Sequence, residues 1–192
     1  MRYDSLILVD SVTAGPDDLA PELAEVQGIK LERHAAAACE RMLAAAMSEG
    51  VEIKPISGYR TAVYQRELWQ KSIAEHIADG LTAAEAEILT ARYLARPFHS
   101  EHQTGLACDF CTARSDDTED NFGSTSEGKW LRQNAHRFGF ILRYPRMKEH
   151  ITGIAYEPWH YRYVGKPHSR IISSRGITLE EYLFYHKDRV QP

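Results

Sequence analysis

Three short polar clusters hold the residue types from which a reactive site could be built. They are Ser57-Gly58-Tyr59-Arg60, the stretch from Ser100 to Asp109, and Glu157-Pro158-Trp159-His160. In the second, six residues separate His102 from Asp109, with Gly105 between them. Imidazole nitrogen and carboxylate oxygen both suit a borderline cation such as zinc, at about 2.0–2.2 Å. Gly105 would let the backbone turn from a loop into a strand and present both side chains to one point. Asp109 is the more telling residue, because it interrupts the apolar run Leu106-Ala107-Cys108-Asp109-Phe110. A carboxylate in a buried strand is costly unless it is paired or bound to a metal. His160 would add a third ligand and leave a fourth position for water, as in a catalytic zinc site. One zinc per chain is expected. Glu157 precedes His160 by three residues, so the two cannot share one face of a regular strand. Pro158 marks the strand's start, and Glu157 turns in from the preceding loop. There it is placed to act as general base on the attacking water.

Plainer readings stand beside this one. Taken singly, His102 and His160 read as ordinary core or surface histidines, Asp109 as a buried partner of Arg60, and Glu157 as a solvated carboxylate. Their joint occurrence, with Asp109 embedded in an apolar strand, favours a metal site. Cys108 and Cys111 form a C-x-x-C, which could be a redox pair or a zinc knuckle. No second C-x-x-C exists, and in a strand the two side chains would point to opposite faces, so buried thiols are expected.

The elements that must position these clusters can be read from periodicity and punctuation. The first 28 residues, with the apolar piece Leu6-Ile7-Leu8-Val9, read as a strand followed by a long loop. Residues 30–49 are Ala-rich with helical spacing and end at Gly50. Val51 to Ile56 reads as a strand, Thr61 to Ile77 as a helix, and Ala83 to Ala95 as another, opened by the capping box Thr82/Glu85. Leu106 to Thr112 reads as a strand and Arg114 to Gly123 as an acidic loop. A helix from Ser126 to Phe138 follows, then strands over Phe140–Tyr144 and Ile151–Val164. The last of these carries Trp159, Tyr161 and Tyr163 in period two, as core residues. Thr178 and Glu181 open a final helix. Helices early and strands mostly late predict an α+β fold with an antiparallel sheet flanked by helices.

Composition sets the outer bounds. The chain has 192 residues and is expected to form one domain, residues 1–192, with no disulfide needed to stabilise its core. Hydrophobic residues at 43% and charged residues at 26% are globular values and exclude a disordered chain. A net charge of −4 argues against an extended nucleic-acid-binding face. The apolar run at Leu6–Val9 is too short for a secretory leader or a membrane helix. Three cysteines are too few for a disulfide scaffold. A cytoplasmic protein without a membrane anchor is expected.

The three clusters also have a family likeness. Ser100-Glu101-His102-Gln103-Thr104-Gly105-Leu106-Ala107-Cys108-Asp109 resembles the S-x-H-x-x-G-x-A-x-D motif of VanY-type D-alanyl-D-alanine carboxypeptidases. Ser57-Gly58-Tyr59-Arg60 resembles their S-G-Y-R element, and Glu157-Pro158-Trp159-His160 their E-x-W-H. The resemblance runs over residues 50 to 185. It is nearest to the soluble VanXY-type dipeptidase/carboxypeptidases of vancomycin resistance, through Gly139 to Pro145, Ile151 to Ile154 and Tyr156 to Gly165.

This resemblance implies zinc on His102, Asp109 and His160, Glu157 as catalytic base, and Arg60 as stabiliser of the developing oxyanion. It implies that Ser100 holds the substrate's terminal carboxylate and that Gln65 lines the substrate site. The implied fold is the antiparallel, hedgehog-like fold of the D,D-peptidases. The implied substrates are peptidoglycan precursor peptides ending in D-Ala-D-Ala, and the free dipeptide. Two positions depart from the family. Phe98 stands where relatives commonly have Gly, and Ser57 stands where some VanXY enzymes carry Asp, a position tied to choosing between dipeptide and longer peptide. Other readings are a strict dipeptidase, an L,D-carboxypeptidase or endopeptidase on stem peptides, and a non-catalytic zinc module. Retention of Glu157 and Arg60 argues against the last.

Overall fold

The computed structural model describes residues 4–16, 19–115, 118 and 120–186. Asp17 and Asp18 of the early loop, and Asp116, Asp117 and Glu119 of the acidic loop, lie outside the described residues.

Among the described residues there are two antiparallel sheets. A hairpin of β1 (Leu23–Val26) and β2 (Ile29–Glu32) turns through Gln27-Gly28, where the sequence pattern reads as a loop and the start of a helix. The 16-residue helix α1 (Arg33–Ser48) therefore begins at Arg33, where the Glu32 carboxylate accepts from the amides of His34 and Ala35. The main sheet contains β3 (Ile53–Ser57), β4 (Ala107–Thr112), β5 (Phe140–Leu142) and β6 (His160–Tyr163), in the order β3-β4-β6-β5. Every neighbouring pair is antiparallel, and with its helices this gives the α+β architecture read from the sequence.

Alternation along the strands separates two environments. Cys108, Phe110, Phe140 and Tyr161 join Ala35, Ala38, Cys39, Met42 and Leu43 of α1 in one apolar cluster. Asp109, His160 and Arg162 alternate with Cys108 and Tyr161 along β4 and β6, so they belong to the opposite face. That second face is closed by a smaller apolar cluster of Leu6, Ile141, Val164, Ile172, Leu179 and Tyr182. It draws on α6 (Lys166–Arg175) and α7 (Leu179–His186).

Between β3 and β4 the chain forms α2 (Ala62–Ala78) and α3 (Ala83–Ala91), each capped by a threonine hydroxyl. The helix α4 (Ser126–Asn134) and the short α5 (Glu149–Thr152) complete the set. Three expectations need correction. Leu6 to Val9 is not a strand: Arg162 takes the carbonyls of Ser5 and Ile7 that a ladder would have used. The third helix stops at Ala91 rather than Ala95. The presumed strand from Ile151 to Val164 forms ladder only from His160, because α5 and a turn at Pro158–Trp159 occupy its first part.

Candidate metal centre and active site

The register of the main sheet aligns the first pieces of the site. Ser57 pairs with Asp109 across β3 and β4, after an irregularity beyond Pro55, and Asp109 pairs with His160 across β4 and β6. Residues directly opposite on antiparallel strands share a face, so these three side chains form a row. His102 comes from a short 3-10 turn, Glu101–Thr104, that leads into β4. That turn ends at Gly105 with φ of 70°, and a Cβ there would sit 2.8 Å from the Glu32 amide nitrogen. Glycine is required on both counts. Gly58 is equally constrained: a Cβ would collide with the Lys30 carbonyl, so the backbone lies tight against the hairpin. Its own carbonyl is 2.7 Å from His102 Nδ1, which leaves Nε2 facing Asp109 Oδ2 at 3.2 Å.

His160 uses the other edge of its ring. Its Nδ1 is 3.0 Å from Asp109 Oδ1 and 3.6 Å from Glu157 Oε2. One ligand-type atom from each of His102, Asp109 and His160 falls within 4.8 Å of the others, and all three residues are buried. Asp109 Oδ1 is buried without a hydrogen bond among the described residues. Two imidazoles and a carboxylate with an unspent oxygen are the donor set of a zinc site with an open position, so the residues fit that metal.

Arg60 borders the same point. Its Nη2 donates to Asp109 Oδ2 at 2.9 Å, while Nε and Nη2 both donate to Ser57 Oγ, at 3.0 and 2.7 Å. The plainer pairing of Asp109 with Arg60 is present, and it leaves Asp109 within the group that could hold a metal. Arg60, Gln65, Ser100, His102, Asp109, Glu157 and His160 line a cavity of about 320 Å³. Gln65 is fully buried, with Nε2 donating to the Ala95 carbonyl and Oε1 without a hydrogen bond among the described residues. Ser57 instead lines an adjacent, wider cleft of about 540 Å³ that also includes Arg60 and Asp109. Cys39, Cys108 and Cys111 are all buried.

Electrostatics divide these groups sharply. Burial pushes the Glu157 carboxyl up to about 8, with the negative charges of Asp109 and Glu101 adding to the effect. Burial alone would also raise Asp109, but His102 and His160 outweigh it and hold that carboxyl well below the usual range. Burial and the nearby Arg60 lower His102, favouring the neutral imidazole that a metal ligand must be. For His160, burial is outweighed by Asp109 and Glu101, which lift it to about 9.

Sequence reasoning misses three residues here. Tyr144 lines the cavity and packs its ring 4.8 Å from that of His160, and Trp159 lines it as well. Glu101, inside the motif but given no task by it, lies against His160 and two buried arginines. Trp159 carries a signal, since it adjoins His160. Glu101 and Tyr144 carry none, because their partners are distant in sequence.

Comparison with known proteins agrees with this geometry. The VanY family pattern, described as D-alanyl-D-alanine carboxypeptidase, matches residues 28–166. The YodJ protein of Bacillus subtilis, described as a carboxypeptidase, is 43% identical over 160 residues, covering 82% of this chain and 55% of YodJ. A D-alanyl-D-alanine carboxypeptidase of Enterococcus faecalis is 39% identical over 182 residues, covering 93% of this chain and 65% of that protein. The chain thus spans between about half and two thirds of the length of these curated relatives.

Solved structures of VanY from a VanB-type resistance cassette are similar along nearly the whole chain, each at 38% identity. One, a glutamate-to-alanine mutant in complex with Zn(II), gives a TM-score of 0.84 over 93% of this chain and 98% of its own. The other, in complex with D-alanine-D-alanine, gives 0.85 over 94% and 97%. Among the described residues, no helix is long and apolar enough to cross a membrane. The fold, the aligned motifs and these likenesses agree: the chain belongs to the VanY family of D-alanyl-D-alanine carboxypeptidases.

Proposed function

We propose that this chain is a zinc D,D-carboxypeptidase that removes the terminal D-Ala from peptidoglycan precursor peptides. The observation that carries this reading is the buried His102/Asp109/His160 cluster, opening with Glu157 and Arg60 into one cavity. His102, Asp109 and His160 would hold one zinc ion. When bound, zinc polarises the scissile carbonyl and acidifies the attacking water.

The chain's own groups do the rest. Glu157 takes the water's proton at its carboxylate and returns it to the departing amine of D-Ala. A carboxyl raised by burial toward neutrality suits both halves of that transfer. The Arg60 guanidinium, fixed by Ser57 Oγ and Asp109, stabilises the oxygen on which negative charge grows. Ser100 binds the substrate's terminal carboxylate, and the unspent Gln65 Oε1 accepts from a substrate N–H. Ser57 then acts on substrate through Arg60, as a positioning residue.

We read residues 1–192 as one peptidase domain, because segments from both halves of the chain meet at the site. The three cysteines, Cys39, Cys108 and Cys111, are all buried, which suits a reducing compartment, and we place the work in the cytoplasm on that reading.

Mass spectrometry of products tests the reaction. UDP-linked pentapeptide should lose one D-Ala, with kcat/KM above that for free D-Ala-D-Ala, since neutral Ser57 offers no anion for the dipeptide's ammonium. Cleavage of a tetrapeptide but not the pentapeptide would instead mark an L,D-carboxypeptidase. Arg60→Ala should lower kcat and kcat/KM together by about 10²–10³-fold. Arg60→Lys should restore little, because an ammonium cannot reproduce the planar fork. Unchanged kcat in Arg60→Ala would remove it from the reaction.

A further inference from the structure

Glu101 is 1% exposed, more enclosed than Asp109 or Glu157. Its two oxygens face different neighbours. Oε1 accepts from Arg143 Nε at 2.8 Å and from Arg162 Nη1 at 2.6 Å. Oε2 faces His160 Nε2 across 3.6 Å, and neither atom has a hydrogen bond among the described residues. The opposite ring nitrogen, Nδ1, is the one turned toward Asp109.

The arginines that hold Glu101 are themselves held. Arg143 donates from Nη1 and Nη2 to both oxygens of Glu180 on α7, at 3.0 and 2.6 Å. Arg162 donates from Nη2 to the carbonyls of Ser5 and Ile7, at 3.1 and 2.7 Å. With Oε1 pinned twice, the carboxylate cannot rotate without breaking two charged hydrogen bonds, so Oε2 stays aimed at the histidine.

We propose that Glu101 is a positioning residue for His160, accepting a hydrogen bond from its Nε2–H so that Nδ1 is left as the donor to a divalent cation. This rests on the reading of His102, Asp109 and His160 as the metal-binding set. A slight turn of the ring closes 3.6 Å to hydrogen-bond length. The contact fixes the tautomer and the ring plane, and a carboxylate acceptor makes the imidazole a stronger donor. His102 receives the milder version of this support from the Gly58 carbonyl.

If Glu101 served only to neutralise two buried arginines, replacing it would weaken the fold and leave zinc affinity unchanged. The test is zinc titration of metal-stripped full-length protein against a chromophoric chelator. His102→Ala should abolish tight binding, as the ligand set requires. Glu101→Gln should bind one zinc about 10–100-fold more weakly than the wild type. Its cobalt-loaded form should show a shifted visible band, because the ligand field reports the ring's donor strength. Glu180→Gln, which loosens Arg143 without touching His160, should keep wild-type zinc affinity.

Wild-type affinity in folded Glu101→Gln overturns the proposal while leaving the ligand set standing. If Glu101→Gln does not fold, Glu101→Asp decides: it keeps the charge for the arginines but withdraws it from His160 by one methylene. About tenfold weaker zinc there supports the proposal, and unchanged affinity overturns it. Wild-type affinity in His102→Ala would overturn the ligand set and the proposal with it.

Discussion

Glu101 and Glu157 face opposite nitrogens of the His160 ring, and both are buried. On the inner side, Glu101 loses its water, yet Arg143 and Arg162 outweigh that loss and keep the carboxyl well below the usual range. On the cavity side, burial dominates and lifts Glu157 to about 8. The residue type is the same and both are enclosed. What differs is whether the fold supplies a cation within hydrogen-bond reach. A compensated carboxylate stays charged and can only hold its neighbours in place, while an uncompensated one sits near the pKa that proton transfer at neutral pH requires.

That contrast is open to attack, and the largest effect comes from the cavity side. Glu157→Gln keeps the shape but cannot accept the proton, so kcat on a D-Ala-D-Ala-terminated pentapeptide should fall about 10²–10⁴-fold with zinc retained. Steady-state kinetics and metal analysis on the same preparation check it. Near-wild-type turnover would mean that Glu157 is not the base.

The inner side should answer in stability. Glu101→Ala strands Arg162 without a carboxylate and leaves Arg143 with Glu180 alone. Urea unfolding of the zinc-free protein should lose about 3–5 kcal/mol. Glu157→Ala should lose under about 1 kcal/mol in the same assay, because it removes a carboxylate that burial already penalises. Equal losses would erase the distinction between the two.

The rim of the inner cluster should matter least. Glu180→Gln weakens a charged pair at the edge of α7, whose side chain is 14% exposed. The expected cost is about 1–2 kcal/mol with kcat unchanged. A loss as large as that of Glu101→Ala would shift the weight of the cluster from Glu101 to the α7 contact.

The two glutamates also mark where sequence reading succeeds. Glu157 is legible because Pro158 and the strand behind it force a turn at a fixed offset from His160. Asp109 is legible because a charge in an apolar strand demands an explanation. Glu101 makes sense only through Arg143 and Arg162, which lie 42 and 61 residues away and look like surface arginines in a linear text. The β1–β2 hairpin is hidden for a similar reason: Lys30 and Glu32 break the apolar pattern, and what fixes that pairing is Gly58 and Gly105 packed against it. The helix Lys166–Arg175 escapes a linear reading because its apolar stripe is short and its partners, Leu6 and Ile141, come from elsewhere.

Phe98 joins the two kinds of information. The family resemblance implies glycine at its position, and its φ is 70°, a left-handed value that a bulky side chain adopts at a cost. Its amide donates to Gln103 Oε1 at 2.7 Å and its carbonyl accepts from the Gly15 amide at 2.7 Å, which hold the loop in place beside Ser100.

The grip of Arg162 on Ser5 and Ile7 spans 157 and 155 residues of chain. It therefore also dates the site within the life of the molecule. During synthesis the early segment emerges long before the strand that will hold it, and Arg143 must wait longer still for Glu180. Until residue 162 has left the ribosome, Glu101 lacks one of the two arginines that fix its carboxylate, and His160 lacks its settled backing. Cys39 and Met42 wait as well, because Cys108, Phe110, Phe140 and Tyr161, which share their apolar cluster, are made later, so the core and the site close together.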